Sequence, residues 1–256
     1  MNVDKTISKS KQKARQIRDY YRVLYRAWGP QHWWPGETPF EVIVGACLVQ
    51  NTAWANAKLA LQGMRSAKVL NVKGVREISL EKLEKIIRPA GFFRQKARCL
   101  KNLVVFLDTN YGGSLRRMFA RPTRDLRQEL LQIKGIGPET ADSILLYGGQ
   151  HPVIVVDTYA RRVLARHGIV PMSTSYEGVR ALMEQALSPL ATEVCNPGKV
   201  TALSHRPSAM SMARRTPLAQ VYNEMHGLMV AAGKQHCLKS APRCEGCPLQ
   251  QFLPQR

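Results

Sequence analysis

The stretch Leu131-Gln-Ile-Lys-Gly-Ile-Gly-Pro-Glu-Thr-Ala141 decides how this chain is read. Gly135 and Gly137 lack Cβ atoms, so a turn between two helices can enter the φ > 0 region and bring its amides close to an outside oxygen. Pro138 suits the first helical position, where a missing N–H costs nothing. The helix expected over Pro138–Tyr147 carries Ala141, Ile144 and Leu145 on one face and stops at Gly148-Gly149. Its free N-terminal amides and positive dipole end then sit beside the glycines, which makes an anion site. The plainer reading is a tight corner between helices, and the motif alone leaves both open.

Asp157 follows in Val153-Ile-Val-Val-Asp-Thr-Tyr159. In front of a helix expected over Thr158–Arg166 it is an N-cap by default, a role worth ~1 kcal/mol. A hairpin followed at this distance by an aspartate resembles the helix-hairpin-helix base-excision DNA glycosylases of the endonuclease III superfamily, where such an aspartate is catalytic. That resemblance implies an all-α fold of two helical domains, with the DNA-binding hairpin in one and an active-site cleft between them. Mapped onto this chain, residues 1–39 and 157–256 form the terminal domain. Residues 40–156 form the central one, with the helix-hairpin-helix at 131–147.

The composition points independently to a polyanionic partner. Lys and Arg number 38 against 18 Asp and Glu, a net charge of +20, as expected of a protein that neutralises many phosphates. An anionic membrane would also attract such a charge. However, there is no long apolar span or signal-type segment, and mean hydropathy is −0.25. A soluble, cytoplasmic, nucleoid-associated monomer bound to double-stranded DNA with damaged bases is expected. The basic start (Lys5, Lys9, Lys11, Lys13, Arg15, Arg18) is read as a transit peptide, an arm on DNA or a solvated helix face.

At 256 residues with 45% hydrophobic content the chain can bury a substantial core. Apolar positions recur at helical spacing in Phe40–Met64, Leu80–Ile87, Ala97–Leu107, Leu126–Ile133, Tyr176–Leu187 and Leu218–Ala232; only Pro152–Val156 reads as a short strand. Residues 191–216, rich in Ser, Pro, Arg and Met, read as a surface loop or insertion.

Breaking an N-glycosidic bond builds positive charge on the sugar, and a fixed carboxylate stabilises that state. Asp157 fits if it stays ionised, which a helix N-terminus favours. The nucleotide must first leave the stack. The resemblance makes Gln50, in Leu48-Val-Gln-Asn-Thr-Ala-Trp54, the residue pushed into the gap, and Lys134, Gly135, Ile136, Gly137 and Thr140 the phosphate-contacting hairpin; a buried or capping amide is the other reading of Gln50. Bifunctional members carry a lysine two residues after the second hairpin glycine, where it forms a Schiff base that leads to strand cleavage. Here that position is Glu139, which cannot form an imine, and this implies a monofunctional hydrolytic enzyme. Lys134 is better placed for phosphate than for the sugar, and Glu139 and His32 remain candidate acids.

Trp33-Trp34-Pro35 and Trp54 supply three large aromatic faces. Plain core burial is one reading of them. Together with Arg88-Pro-Ala-Gly-Phe-Phe-Arg-Gln-Lys-Ala97 and Leu218-Ala-Gln-Val-Tyr-Asn-Glu-Met-His-Gly227, they resemble the 3-methyladenine glycosylase III branch of the superfamily. That implies a base pocket of Trp33, Trp34, Trp54 and Pro35. An alkylated purine is cationic, is attracted to Trp faces by ~1–2 kcal/mol, and is already a good leaving group. A mismatched thymine or uracil as substrate, a glycosylase/lyase using another lysine, and a non-catalytic damaged-DNA-binding protein stay open.

Cys237-x6-Cys244-x2-Cys247 is a metal-type spacing. Members of the superfamily add a fourth Cys six positions on and hold a [4Fe–4S] cluster; here that position is Leu253, so one iron lacks its usual ligand. Cys195 or His236 could complete the set, Zn²⁺ could occupy a Cys₃His site, or the loop could be metal-free. Cys47 and Cys99 read as core thiols, and no disulfide is needed, consistent with a reducing compartment.

Overall fold

A computed structural model describes residues 2–193, 196 and 206–254, with side chains from Ser10 onward. The side chains of Lys5 and Lys9, singled out in the sequence, therefore lie outside what is described, as do Cys195 and the rest of 194–205 except residue 196. Among the described residues all regular structure is helical. The chain divides into two compact units, one of residues 1–33, 152–207 and 214–256 and one of residues 34–151 and 208–213. The expected junctions at 39/40 and 156/157 thus fall at 33/34 and 151/152.

The first unit holds α1 (Asn2–Trp28), α10 (Thr158–Arg166), α11 (Tyr176–Leu187) and α12 (Pro217–Gln235). Helix α12 is buried from Tyr222 to Gly233, the polar Asn223, Glu224 and His226 included. Gly233 permits this packing, because a Cβ there would come 2.4–2.8 Å from the ring and Cβ of Tyr159. Tyr20 of α1 packs edge-on against His167 beyond α10, ring centroids 5.3 Å apart.

The second unit runs through α2 (Pro39–Leu48), α3 (Trp54–Ser66), α4 (Val72–Glu77), α5 (Leu80–Ile86), α6 (Phe93–Tyr111), α7 (Leu115–Phe119), α8 (Thr123–Leu131) and α9 (Pro138–Ser143). Thr38 caps α2 by accepting from the Glu41 amide at 3.1 Å, with Pro39 at the first position. The apolar run expected as one helical stretch over Phe40–Met64 is two helices, broken at 49–53 where Asn51 takes φ 52°. Asn tolerates that left-handed conformation better than most residues, so the break falls there.

Two further expectations are corrected. The helix read over Pro138–Tyr147 keeps α-geometry only to Ser143 and then widens into a π turn over Ile144–Gly148. In the segment read as a strand, Pro152 is exposed in a bend and Val153–Val156 are buried, but among the described residues they pair with no strand. The amides of Ile154 and Val156 lie instead at 3.3 and 3.4 Å from Glu184 Oε1 and Tyr176 Oη of α11. Side chains thereby satisfy the backbone where no ladder is available.

Part of the supposed surface insertion is also structural. Ser208, Met210 and Ser211 are buried. Ser208 Oγ donates to the Trp34 carbonyl at 3.3 Å and accepts from the Gly36 amide at 3.1 Å, while the Met210 amide donates to the Gly36 carbonyl at 3.0 Å. This segment fastens the chain leaving Trp34 into the second unit.

Candidate functional site

In the second unit, α8 and α9 flank the hairpin and are locked by a buried bidentate pair. Arg127 Nε and Nη2 donate to Asp142 Oδ1 and Oδ2 at 2.6 and 3.1 Å, with Asp142 fully buried. The hairpin turn closes with the Ile136 amide on the Ile133 carbonyl at 2.9 Å, and Ile136 is buried beneath it. Only one of the two glycines takes positive φ. Gly135 has φ 102°, and a Cβ there would come within 2.9–3.0 Å of Cys99 Cβ and Sγ. Gly137 has φ −95° and ψ 177°, with nothing of the protein within 4 Å of a would-be Cβ. Its missing side chain leaves open space in front of the α9 amides, as an outside anion would need. Lys134 and Glu139 are exposed on the same turn, and Thr140 is buried.

Gln50 reaches this hairpin directly. Its Nε2 donates to the Gly135 carbonyl at 3.0 Å and to Thr140 Oγ1 at 2.8 Å. Behind it, Lys96 was not anticipated from the sequence. It is 3% exposed, and its ammonium donates to the carbonyls of Leu48 at 2.9 Å and Ala90 at 2.7 Å. Burial lowers its pKa. Phe92 was also missed. It stands 62% exposed with φ 46° immediately before α6, a conformation that a bulky residue rarely adopts without reason. The one signal in the sequence was an apolar Phe-Phe pair following glycine.

The tryptophans part company. Trp34 is 5% exposed and belongs to the second unit, stacked on Tyr147 at 5.3 Å and edge-on to Trp54 at 5.0 Å. Gly45 of α2 makes room for it, a Cβ there lying 3.4 Å from the indole. Trp54, at the start of α3, and Pro35 are both half-buried. Trp33 belongs to the first unit, buried edge-on to His226 at 5.9 Å with the Lys234 ammonium 5.8 Å from its ring centre.

Asp157 caps α10. Its Oδ1 accepts from the Ala160 amide at 2.7 Å, and its Oδ2 lies 3.5 Å from Nε2 of His226, a buried residue of α12. The amide fixes Oδ1, while Oδ2 faces the imidazole without a hydrogen bond to it, and 12% of the side chain stays exposed. Partial burial lowers the Lys234 pKa, and the charge of Asp157 acts against that shift.

Cys237, Cys244 and Cys247 line a cavity of about 380 Å³ in the first unit with His236, Arg166 and Leu253. Arg166 Nη1 lies 3.4 Å from Cys237 Sγ, and the His236 ring hydrogen-bonds the Arg243 carbonyl at 3.2 Å through Nδ1. Burial raises the Cys247 thiol. Among the described residues no three His, Cys, Asp or Glu side chains converge as an ion-binding group. The apolar Leu253 occupies the cavity wall where a fourth thiolate was sought, so these residues do not fit a four-thiolate cluster.

Comparison with known proteins accords with this layout. A family model for the HhH-GPD superfamily of base excision DNA repair proteins matches residues 44–189. The chain is 35% identical over 243 residues to a Methanocaldococcus jannaschii protein named as a DNA repair glycosylase, covering 94% of this chain and 96% of that one. It is 27% identical over 216 residues to Thermotoga maritima endonuclease III, covering 83% and 81%. The structure of Helicobacter pylori 3-methyladenine DNA glycosylase, solved with 1,N6-ethenoadenine, aligns with a TM-score of 0.66 at 27% identity, over 88% of this chain and 97% of that one. With a family model spanning more than half of its length and a relative matching nearly all of it, the chain belongs to the HhH-GPD superfamily of base excision repair DNA glycosylases.

Proposed function

We propose that this glycosylase is monofunctional and hydrolyses the N-glycosidic bond of alkylated purines, with Asp157 stabilising the oxocarbenium-like transition state. What supports the reading is the Asp157 carboxylate, held through Oδ1 at a helix N-terminus and facing His226, in a chain whose sequence carries Glu139 at the position of the imine-forming lysine of bifunctional relatives. A carboxylate fixed before the reaction stabilises developing charge without reorganising. The hairpin of Lys134, Gly135, Ile136, Gly137 and Thr140 binds one phosphate of double-stranded DNA, and Gln50 fills the space that the flipped nucleotide leaves. Trp54, backed by Trp34, stacks the cationic base. The likeness to the Helicobacter pylori enzyme supports the lesion class. No step in this mechanism runs through a metal.

The test is base release from duplexes carrying 3-methyladenine, 7-methylguanine, hypoxanthine, uracil or mismatched thymine, with and without alkali. Rapid release of the methylated purines that leaves an intact abasic site supports the proposal. Release confined to uracil or thymine overturns it.

A second reading, a glycosylase/lyase, draws on Lys234. It lies in the same unit as Asp157, its amine 5.8 Å from the Trp33 ring centre, and partial burial lowers its pKa against the opposing charge of Asp157; a less protonated amine is a better nucleophile. A covalent adduct trapped by borohydride in the wild type and absent in Lys234→Met would establish it.

A further inference from the structure

A buried ammonium hydrogen-bonded only to carbonyls, with the Cys47 thiol as its electrostatic neighbour, is an expensive feature, since taking the charge out of water costs several kcal/mol unless it is closely hydrogen-bonded. Lys96 carries that cost at a particular place. Leu48 is the last residue of α2, two residues before Gln50, and Ala90 ends the short 3₁₀ turn two residues before Phe92. Both accepting carbonyls are therefore at helix C-termini, where a cation is most favourably placed. Beyond Leu48 the backbone turns through Asn51 at φ 52°, and beyond Ala90 it turns through Gly91 and Phe92 at φ 66° and 46°. The ammonium thus joins the roots of two strained turns. One carries the glutamine bonded to the hairpin at Gly135 and Thr140, and the other carries the exposed aromatic.

We propose that Lys96 is a positioning residue for DNA engagement, holding the Gln50 turn and the Phe92 turn in one register so that both meet the damaged duplex as a single rigid edge. Without the ammonium, each turn would keep its own shape but lose its fixed relation to the other. Misplacement by ~1 Å can cost ~10²-fold in a site that works by geometry. The proposal rests on the role given to Gln50 above.

The test is fluorescence anisotropy at 20 °C, well below melting, with a duplex containing a tetrahydrofuran abasic analogue and the matching undamaged duplex. This probe does not depend on which base the enzyme removes. Lys96→Met is expected to lower the preference for the abasic duplex about 10-fold while affinity for undamaged DNA stays within twofold. Gln50→Ala should lose preference similarly, and the double variant should lose no more than the worse single one. An unchanged preference in Lys96→Met, or losses that add in the double variant, overturns the proposal. A purely structural lysine would lower melting temperature alone. Should Lys96→Met fail to fold, hydrogen exchange on the wild type decides. Peptides covering 49–53 and 91–95 should gain protection together on the abasic duplex, and protection of one alone overturns the brace. If Gln50→Ala by itself keeps full preference, the role of Gln50 falls, and the exchange measurement then decides the brace independently.

Discussion

Asp157 Oδ2 faces His226 Nε2 across 3.5 Å while Oδ1 takes the Ala160 amide at 2.7 Å, so the same carboxylate serves as helix cap and as the oriented charge of the proposed mechanism. The two roles separate by mutation. Asn caps helices about as well as Asp, so Asp157→Asn should melt near the wild-type temperature and bind DNA at least as tightly. Its single-turnover base excision should fall ~10²-fold or more. Excision within a few-fold of wild type would leave Asp157 only its cap.

Position 139 governs what happens after the base departs. With glutamate there, borohydride should trap no enzyme–DNA adduct, and the product strand should break only on alkaline treatment. A trapped adduct that persists in Lys234→Met would sink both readings of the mechanism and call for a search of the remaining lysines.

The hairpin glycines predict opposite behaviours. Gly135→Ala meets a positive φ and the Cys99 side chain, so it should destabilise the fold by ~1–3 kcal/mol, measurable by thermal melting. Gly137→Asp meets no protein atom but sets a negative charge in the proposed phosphate position. It should leave melting nearly unchanged and weaken damaged and undamaged DNA alike, with a shallower salt dependence. Loss confined to damaged DNA would move the hairpin from the phosphate to the lesion.

The tryptophans divide by burial. Trp34→Ala removes an indole packed on Gly45, Tyr147 and Trp54, and should cost ~3–5 kcal/mol of stability with every activity falling together. Trp54→Ala should spare most of the stability and lower kcat/KM on a methylated purine by roughly 10- to 100-fold, the value of one lost stack. Equal stability losses in the two variants would make Trp54 core as well.

Glu224 provides a pH signature. It is buried on α12, accepts from the Gln31 amide at 2.7 Å and from Gln220 at 2.8 Å, and burial pushes its pKa up to about 7 from an ordinary 4.5. Between those values the folded protein keeps a proton that the unfolded chain has released, so this residue's contribution to stability falls as pH rises through the window. The loss is about 3 kcal/mol at most. Melting curves of wild type and Glu224→Gln from pH 4 to 8 should diverge, the variant gaining relative to the wild type up to pH 7 and no further. Parallel curves would show that the carboxyl titrates alike in the folded and unfolded chain.

Much of this was present in the linear order of residues. Helical spacing marked the core faces, glycine and proline at 135, 137 and 138 marked the hairpin, and Asp157 before an apolar-faced helix marked its own cap, because these signals act within a turn or two of chain. The family followed from hairpin and aspartate together. Tertiary structure alone decided how adjacent residues divide, sending Trp33 to one unit and Trp34 to the other. It also buried the end of a nominal surface loop at Ser208 and gave Asp157 its partner at His226, 69 positions away in sequence. Lys96 is the sharpest case. Lysine reads as solvent-exposed in any sequence, since only the meeting of two helix ends around it can repay the removal of its charge from water.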